Sequence, residues 1–75
     1  MSSPVHRPPS ETHVRLARTR AALTQRELAE LVGVSRQSIV SIERGDYAPS
    51  VYLAIRLSRV LRTDVEELFP LTHED

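Results

Sequence analysis

Apolar residues recur along most of this chain at intervals of three and four, the period of one helix face. Val14, Ala17 and Ala21 stand at i, i+3 and i+7 and predict a first helix from Thr12 to about Ala22, closed by Leu23. Thr24-Gln25-Arg26-Glu27 then has the form of a capping box, in which the Thr hydroxyl accepts from a backbone N–H one turn on and the Glu reaches back. A second helix is expected to start there, carry Leu28, Ala29, Leu31 and Val32, and stop at Gly33. Glycine takes positive φ without steric cost, so the chain can reverse at Gly33 without a long loop. Ser35 is a good N-cap for a third helix, Arg36 to Arg44, which Gly45 ends.

Asp46-Tyr47-Ala48-Pro49 reads as a loop, and Ser50 caps a fourth helix running from Val51 to about Leu61. That helix is apolar nearly all round, except at Arg56, Ser58, Arg59 and the Tyr52 hydroxyl. A domain of this size cannot bury two faces of one helix within its own chain. Asp64-Val65-Glu66-Glu67 repeats the capping-box form and opens a short fifth helix that ends near Phe69, before Pro70. Every predicted element is helical, so the fold class is all-α. The expected division is a disordered arm over 1–11, where Pro4, Pro8 and Pro9 sit without apolar periodicity, one helical domain over 12–69, and an acidic tail over 70–75.

Two helices joined by a short glycine-containing turn match the helix-turn-helix, whose second helix enters the DNA major groove while the first crosses the backbone. Its packing needs apolar residues facing inward, a small residue where the helices cross and a glycine in the turn. Leu28, Val32, Val34, Ile39 and Ile42, then Ala29, then Gly33 supply these in order. Thr24 to Gly45 resembles the helix-turn-helix of the Xre/Cro/CI-type transcriptional regulators. VRLARTRAALTQ is similar to that family's first helix, GDYAPS to the following loop, and SVYLAIRLSRVL with DVEELF to the fourth and fifth helices, so the likeness spans residues 13 to 69. It implies a five-helix, lambda-repressor-like DNA-binding domain. The short stand-alone members of the family are the most similar, and they act as homodimers. The sequence departs from the family pattern at Arg62, where Gly is frequent, at Ala48, where Asn is frequent, and at Tyr52, where a polar residue is usual.

With Ile39 and Ile42 facing inward, Arg36, Gln37, Val40, Ser41 and Arg44 turn toward solvent or groove. Arg36 and Gln37 lie in the first turn, where recognition helices approach base edges, and Arg suits guanine O6 and N7 as Gln suits adenine N6 and N7. Arg36, Gln37, Val40 and Ser41 are therefore the expected base contacts, Val40 through a thymine methyl. Phosphate contacts are expected from Thr24 and Gln25 at the start of the second helix, from Ser35 and Ser38 at the start of the third, and from Arg44 and Tyr47. Asp46 works against phosphate in that last region. The family resemblance implies a structural ion pair between Arg18 and Glu43. Leu53, Leu57 and Leu61 can complete the core, which leaves Val51, Ile55, Phe69 and Leu71 as expected dimer contacts. In the short relatives the segment after the fifth helix can pair as a strand across the dimer, and Pro70 removes one donor from such a strand.

Net charge is zero, which alone argues against a strongly basic nucleic-acid binder. The distribution alters that reading. Ten arginines against five acids give residues 1–63 a net +5, while residues 64–75 carry five acids and neither Lys nor Arg, a net −5. A basic body with an acidic end fits a polyanion-binding face. Arg7 is in reach of a minor groove, although a solvated arm is the favoured reading of residues 1–11. Without cysteine there is neither a disulfide nor a thiolate metal site. His6, His13 and His73 lack metal-ligand spacing and no Ser stands in a nucleophile elbow, so no metal, no cofactor and no enzymatic activity are expected. The absence of a membrane-span or signal-peptide pattern predicts a cytoplasmic protein. The expected function is a homodimeric repressor binding double-stranded DNA at a pseudo-palindromic operator. The alternatives are an antitoxin-like or adaptor protein that chiefly binds a protein partner, and the controller of a restriction-modification operon.

Overall fold

The computed structural model describes residues 12–46 and 48–71. Five helices follow in order: α1 Val14–Arg20, α2 Gln25–Val32, α3 Arg36–Arg44, α4 Val51–Leu61 and α5 Val65–Leu68. No strand occurs among the described residues. The α2 helix packs on α3 and α4, α1 closes against α3 and α4, and α5 lies against α4. Each helix contributes its apolar stripe to one core: Val14 and Ala17 from α1, Leu28, Ala29 and Val32 from α2, Ile39 and Ile42 from α3, Leu53, Leu57 and Leu61 from α4, and Leu68 from α5. Burial of a side chain the size of Leu28, Ile39, Ile42, Leu57 or Leu68, all without solvent exposure, stabilises by about 1.5–3 kcal/mol each relative to exposure.

Three helices start on side-chain caps. Thr24 accepts from the Glu27 N–H while the Glu27 carboxylate accepts from the Thr24 N–H, a complete capping box. Ser35 accepts from the Ser38 N–H and Ser50 from the Leu53 N–H. The capping box expected at Asp64 does not form. Asp64 has the extended backbone of an N-cap, yet its side chain makes no cap bond, and the single turn of α5 closes on its carbonyl, which accepts from the Glu67 and Leu68 N–H groups. The helix ends at Leu68 because Phe69, the residue before Pro70, leaves helical φ at −130°.

Four consecutive helices end through a residue in the left-handed region: Ala22, Gly33, Gly45 and Arg62, with φ of 59°, 79°, 78° and 54°. The residue after each one donates back to a carbonyl in the last turn: Leu23 to Arg18, Val34 to Ala29, Asp46 to Ser41, and Thr63 to Ser58. This is the Schellman closure, which satisfies carbonyls the helix leaves over. Two of the four are not glycine, at some cost in local strain. The turn at Ala22 ends α1 at Arg20, so Ala21 is exposed, contrary to its expected place on the buried face. At Arg62, where the family pattern favours Gly, the arginine itself adopts the left-handed cap.

Candidate nucleic-acid interface

The α2–α3 unit is held from below and from both ends. Ala29, almost fully buried, allows α2 and α3 to approach, and Ile39 and Ile42 anchor one face of α3 in the core. The other face is thereby fixed outward. Arg36, Gln37 and Arg44 are exposed on it, while Val40 and Ser41 are half-buried. Val34, the residue after the turn, packs as a partly buried side chain against the core.

The Arg18–Glu43 ion pair forms as the resemblance implies, Arg18 Nε to Glu43 Oε2 at 2.6 Å, with the side chains 15% and 4% exposed. Arg18 Nη2 donates to Glu43 Oε1 at 3.3 Å, and Nη1 donates to the Leu23 carbonyl at 2.8 Å. One guanidinium therefore ties α1 to the end of α3 and also pins the turn into α2. Glu43 accepts a further bond from Gln25, whose Nε2 donates to Oε1 at 3.1 Å. Gln25 Oε1 in turn accepts from Arg36 Nη2 at 3.3 Å. The expected phosphate residue Gln25 is thus joined on one side to a nearly buried carboxylate and on the other to the expected base-reading arginine.

The remaining expected contacts are placed as follows. Within the capping box the Thr24 and Glu27 N–H groups are occupied, so a phosphate at the start of α2 would meet the N–H groups of Gln25 and Arg26. The Ser35 hydroxyl caps α3 and lies 3.0 Å from the Ser38 hydroxyl, which brings that pair together. Arg44 Nε lies 3.7 Å from Asp46 Oδ2, both side chains being largely exposed, so the expected clash of Asp46 with phosphate takes the form of a tethered arginine. Tyr47 and residues 72–75 lie outside the described residues, as does the whole 1–11 arm. Away from α2 and α3 in sequence, Val51 is 72% and Leu71 76% exposed, and Ile55 39%. Phe69 differs from the other three expected dimer contacts, because it is half-buried against the core.

Two positions not singled out from the sequence also fix the frame. Arg56 Nη1 donates to the Val32 carbonyl at 3.3 Å, placing a cation at the carbonyl end of α2. His13 bonds through its N–H to the Leu68 carbonyl and through Nδ1 to the Glu67 carbonyl, joining the start of α1 to the end of α5. In the sequence Arg56 stood out only as one of two charged residues, with Arg59, on a mostly apolar helix. Nothing local marks His13, whose partners lie 54 and 55 positions away. Among the described residues no three His, Asp or Glu side chains gather as a metal site, and no helix is long and apolar enough to cross a membrane.

Comparison with known proteins covers the same five helices. The model of the helix-turn-helix family matches residues 14–68. An uncharacterized HTH-type transcriptional regulator of Methanothermobacter thermautotrophicus is 47% identical over 64 residues, 84% of this chain and 93% of that protein. Among solved structures, the restriction-modification controller protein C.AhdI of Aeromonas hydrophila superposes with a TM-score of 0.69 at 33% identity, covering 76% of this chain and 86% of that one. The N-terminal DNA-binding domain of SinR from Bacillus subtilis gives 0.71 at 31%, covering 81% and 90%; SinR is also known in complex with DNA and in complex with the SinI protein. With fold, turn geometry and sequence agreeing from α1 to α5, this chain belongs to the helix-turn-helix family of Xre/Cro/CI-type transcriptional regulators and is a DNA-binding regulator.

Proposed function

We propose that the protein is a homodimeric, sequence-specific repressor that occupies a pseudo-palindromic operator, with α3 in the major groove and α2 across the backbone. The observation that carries this reading is the sidedness of α3: Ile39 and Ile42 are fully buried, and Arg36 and Gln37 stand exposed in its first turn. A helix so anchored presents a fixed set of hydrogen-bonding groups to the edges of base pairs. Arg36 and Gln37 read bases, with Ser41 and the half-buried Val40 one turn further in. Thr24, Gln25, Ser35, Ser38 and Arg44 face phosphates on either side, Arg44 exchanging Asp46 for a phosphate oxygen when DNA arrives. The second copy covers Val51, Ile55 and Leu71, with Phe69 at the edge of that contact, and two-fold symmetry sets two copies of α3 one turn of DNA apart. Protein and DNA partners both lie in the cytoplasm.

A second reading has its own support. The exposed Val51, Tyr52 and Ile55 side chains form an apolar strip on α4, and a relative, SinR, is known in complex with a protein partner. If that strip holds a different protein, DNA binding serves autoregulation. The reading of α3 is tested by Arg36→Ala, measured by fluorescence anisotropy against duplexes differing at single base pairs. The expected outcome is a loss of about 1–3 kcal/mol confined to one base position. Uniform weakening on all duplexes would make Arg36 a phosphate contact instead.

A further inference from the structure

We infer that the groove between α1 and the α4–α5 turn holds the chain's own acidic tail, Glu74 and Asp75 resting on Arg20 and Arg62, and that the tail thereby keeps those two arginines from DNA phosphates at random sites.

The groove is built from residues outside the recognition unit. One cavity of about 310 Å³ opens between α1 and α5, with Leu16, Arg20, Thr63 and Pro70 in its lining. It runs into a second of about 440 Å³, which shares Arg20 and Thr63 and adds Ala21, Val60 and Arg62. No residue of α2 or α3 contributes to either. The walls are mostly apolar, and both arginines are exposed. Among the described residues neither arginine has a carboxylate within ion-pair distance, and Glu67 is the one acid on the lining. Two cations therefore face one anion. Arg62 also holds a left-handed backbone, φ 54°, at a steric cost that glycine would avoid; unlike glycine, it places a cation on the lining.

The chain itself supplies the counter-charge. Pro70 stands on the edge of the groove, and Leu71-Thr72-His73-Glu74-Asp75 follows it. Residues 72–75 lie outside the described residues. Five residues extend at most to roughly 17 Å, and Pro70 borders the same cavity as Arg20, so both acids can reach the arginines. Exposed ion pairs are individually weak, yet a tether this short holds the acids beside the arginines at an effective concentration on the order of millimolar. Leu71, assigned above to the dimer contact, precedes the acids and keeps that contact.

The consequence concerns DNA. Two exposed arginines on an open groove are available to phosphate, and each phosphate neutralised adds to sequence-independent affinity. Carboxylates seated there must leave first. The tail therefore lowers binding to random DNA, while α3, which has no part in the groove, keeps its access to base edges.

The test neutralises the tail, Glu74→Gln with Asp75→Asn, and the groove, Arg20→Gln with Arg62→Gln, separately and together. Circular dichroism checks that the fold is kept, as expected for exposed arginines. In amide NMR spectra the tail variant is expected to shift the signals of Arg20, Ala21, Arg62 and Thr63. On a random-sequence duplex near physiological salt it is expected to bind about threefold or more tightly, with a salt slope steeper by about 1–2, and to lose that gain once Arg20 and Arg62 are Gln. The inference is overturned if the shifts stay within residues 70–75 or fall on α2 and α3. It is equally overturned if there is no gain in binding, or if the gain is the same with and without the arginines, which would mark the tail as acting at long range from no fixed place. A mixture of isotope-labelled tail variant with unlabelled native chain identifies the source of the tail. Native signals restored in the labelled groove would put a second copy's tail there and overturn the contact within one chain.

Discussion

A single arginine, Arg18, bonds both the Glu43 carboxylate near the end of α3 and the Leu23 carbonyl in the turn that leads from its own helix into α2. Its removal takes the paired cation from Glu43, only 4% exposed in the intact pair, so Arg18→Ala is expected to cost about 3–5 kcal/mol. That is a large share of the stability a domain of this size possesses. Replacing both partners by apolar residues of similar volume, Arg18→Met with Glu43→Leu, is expected to restore most of it, since the interior then holds no charge to satisfy. Urea denaturation of the two variants checks this. Equal destabilisation by single and double variants would mean that the pair contributes through packing alone. The pairing itself was expected from family resemblance; the involvement of Gln25 was not, because nothing in a one-dimensional pattern tells an amide facing solvent from one facing a carboxylate.

At the level of the helices, the sequence was most legible at their beginnings. Thr24, Ser35 and Ser50 each cap as their chemistry predicts, because a hydroxyl one turn ahead of an N–H is a local arrangement that needs no tertiary context. The same logic failed at Asp64, where a one-turn helix closes on backbone bonds. The two motifs look alike in sequence and should behave differently on mutation. Thr24→Ala is expected to cost about 1 kcal/mol, and Asp64→Ala close to nothing, by thermal or chemical denaturation; equal losses would show that Asp64 caps in solution after all. Helix ends were half legible. Gly33 and Gly45 announced left-handed turns, whereas Ala22 and Arg62 adopt the same turn without the residue that favours it. There the carbonyl bonds of the closure, with Arg18 pinning Leu23, outweigh the local preference of the backbone.

Across the whole molecule, the inner and outer faces were read correctly wherever periodicity alone decides. Leu53, Leu57 and Leu61 complete the core, and Val51 and Ile55 remain outside. Ala21 was misplaced because the end of a helix rotates its last residues away from the face its middle defines, and that end is set by contacts rather than pattern. Under the proposed homodimer, a second copy covers the exposed apolar strip on α4. Ile55→Glu is expected to shift the protein toward monomer in sedimentation velocity while leaving helicity intact, since Ile55 is not a core residue; an unchanged oligomeric state would remove α4 from the dimer interface. A monomeric variant should bind DNA with lower affinity and without preference for paired half-sites.

The central claim is that two copies of α3 read bases in adjacent major grooves. Selection of binding sites from a randomised duplex pool at near-physiological salt, followed by sequencing, tests it most directly. The expected result is enrichment of a two-fold symmetric motif whose half-sites lie about 34–36 Å apart, one turn of DNA, with one base pair in each half-site losing its preference in Arg36→Ala. Enrichment of no motif, with binding that is sequence-independent and falls steeply with salt, would contradict it and turn attention to a protein partner on α4.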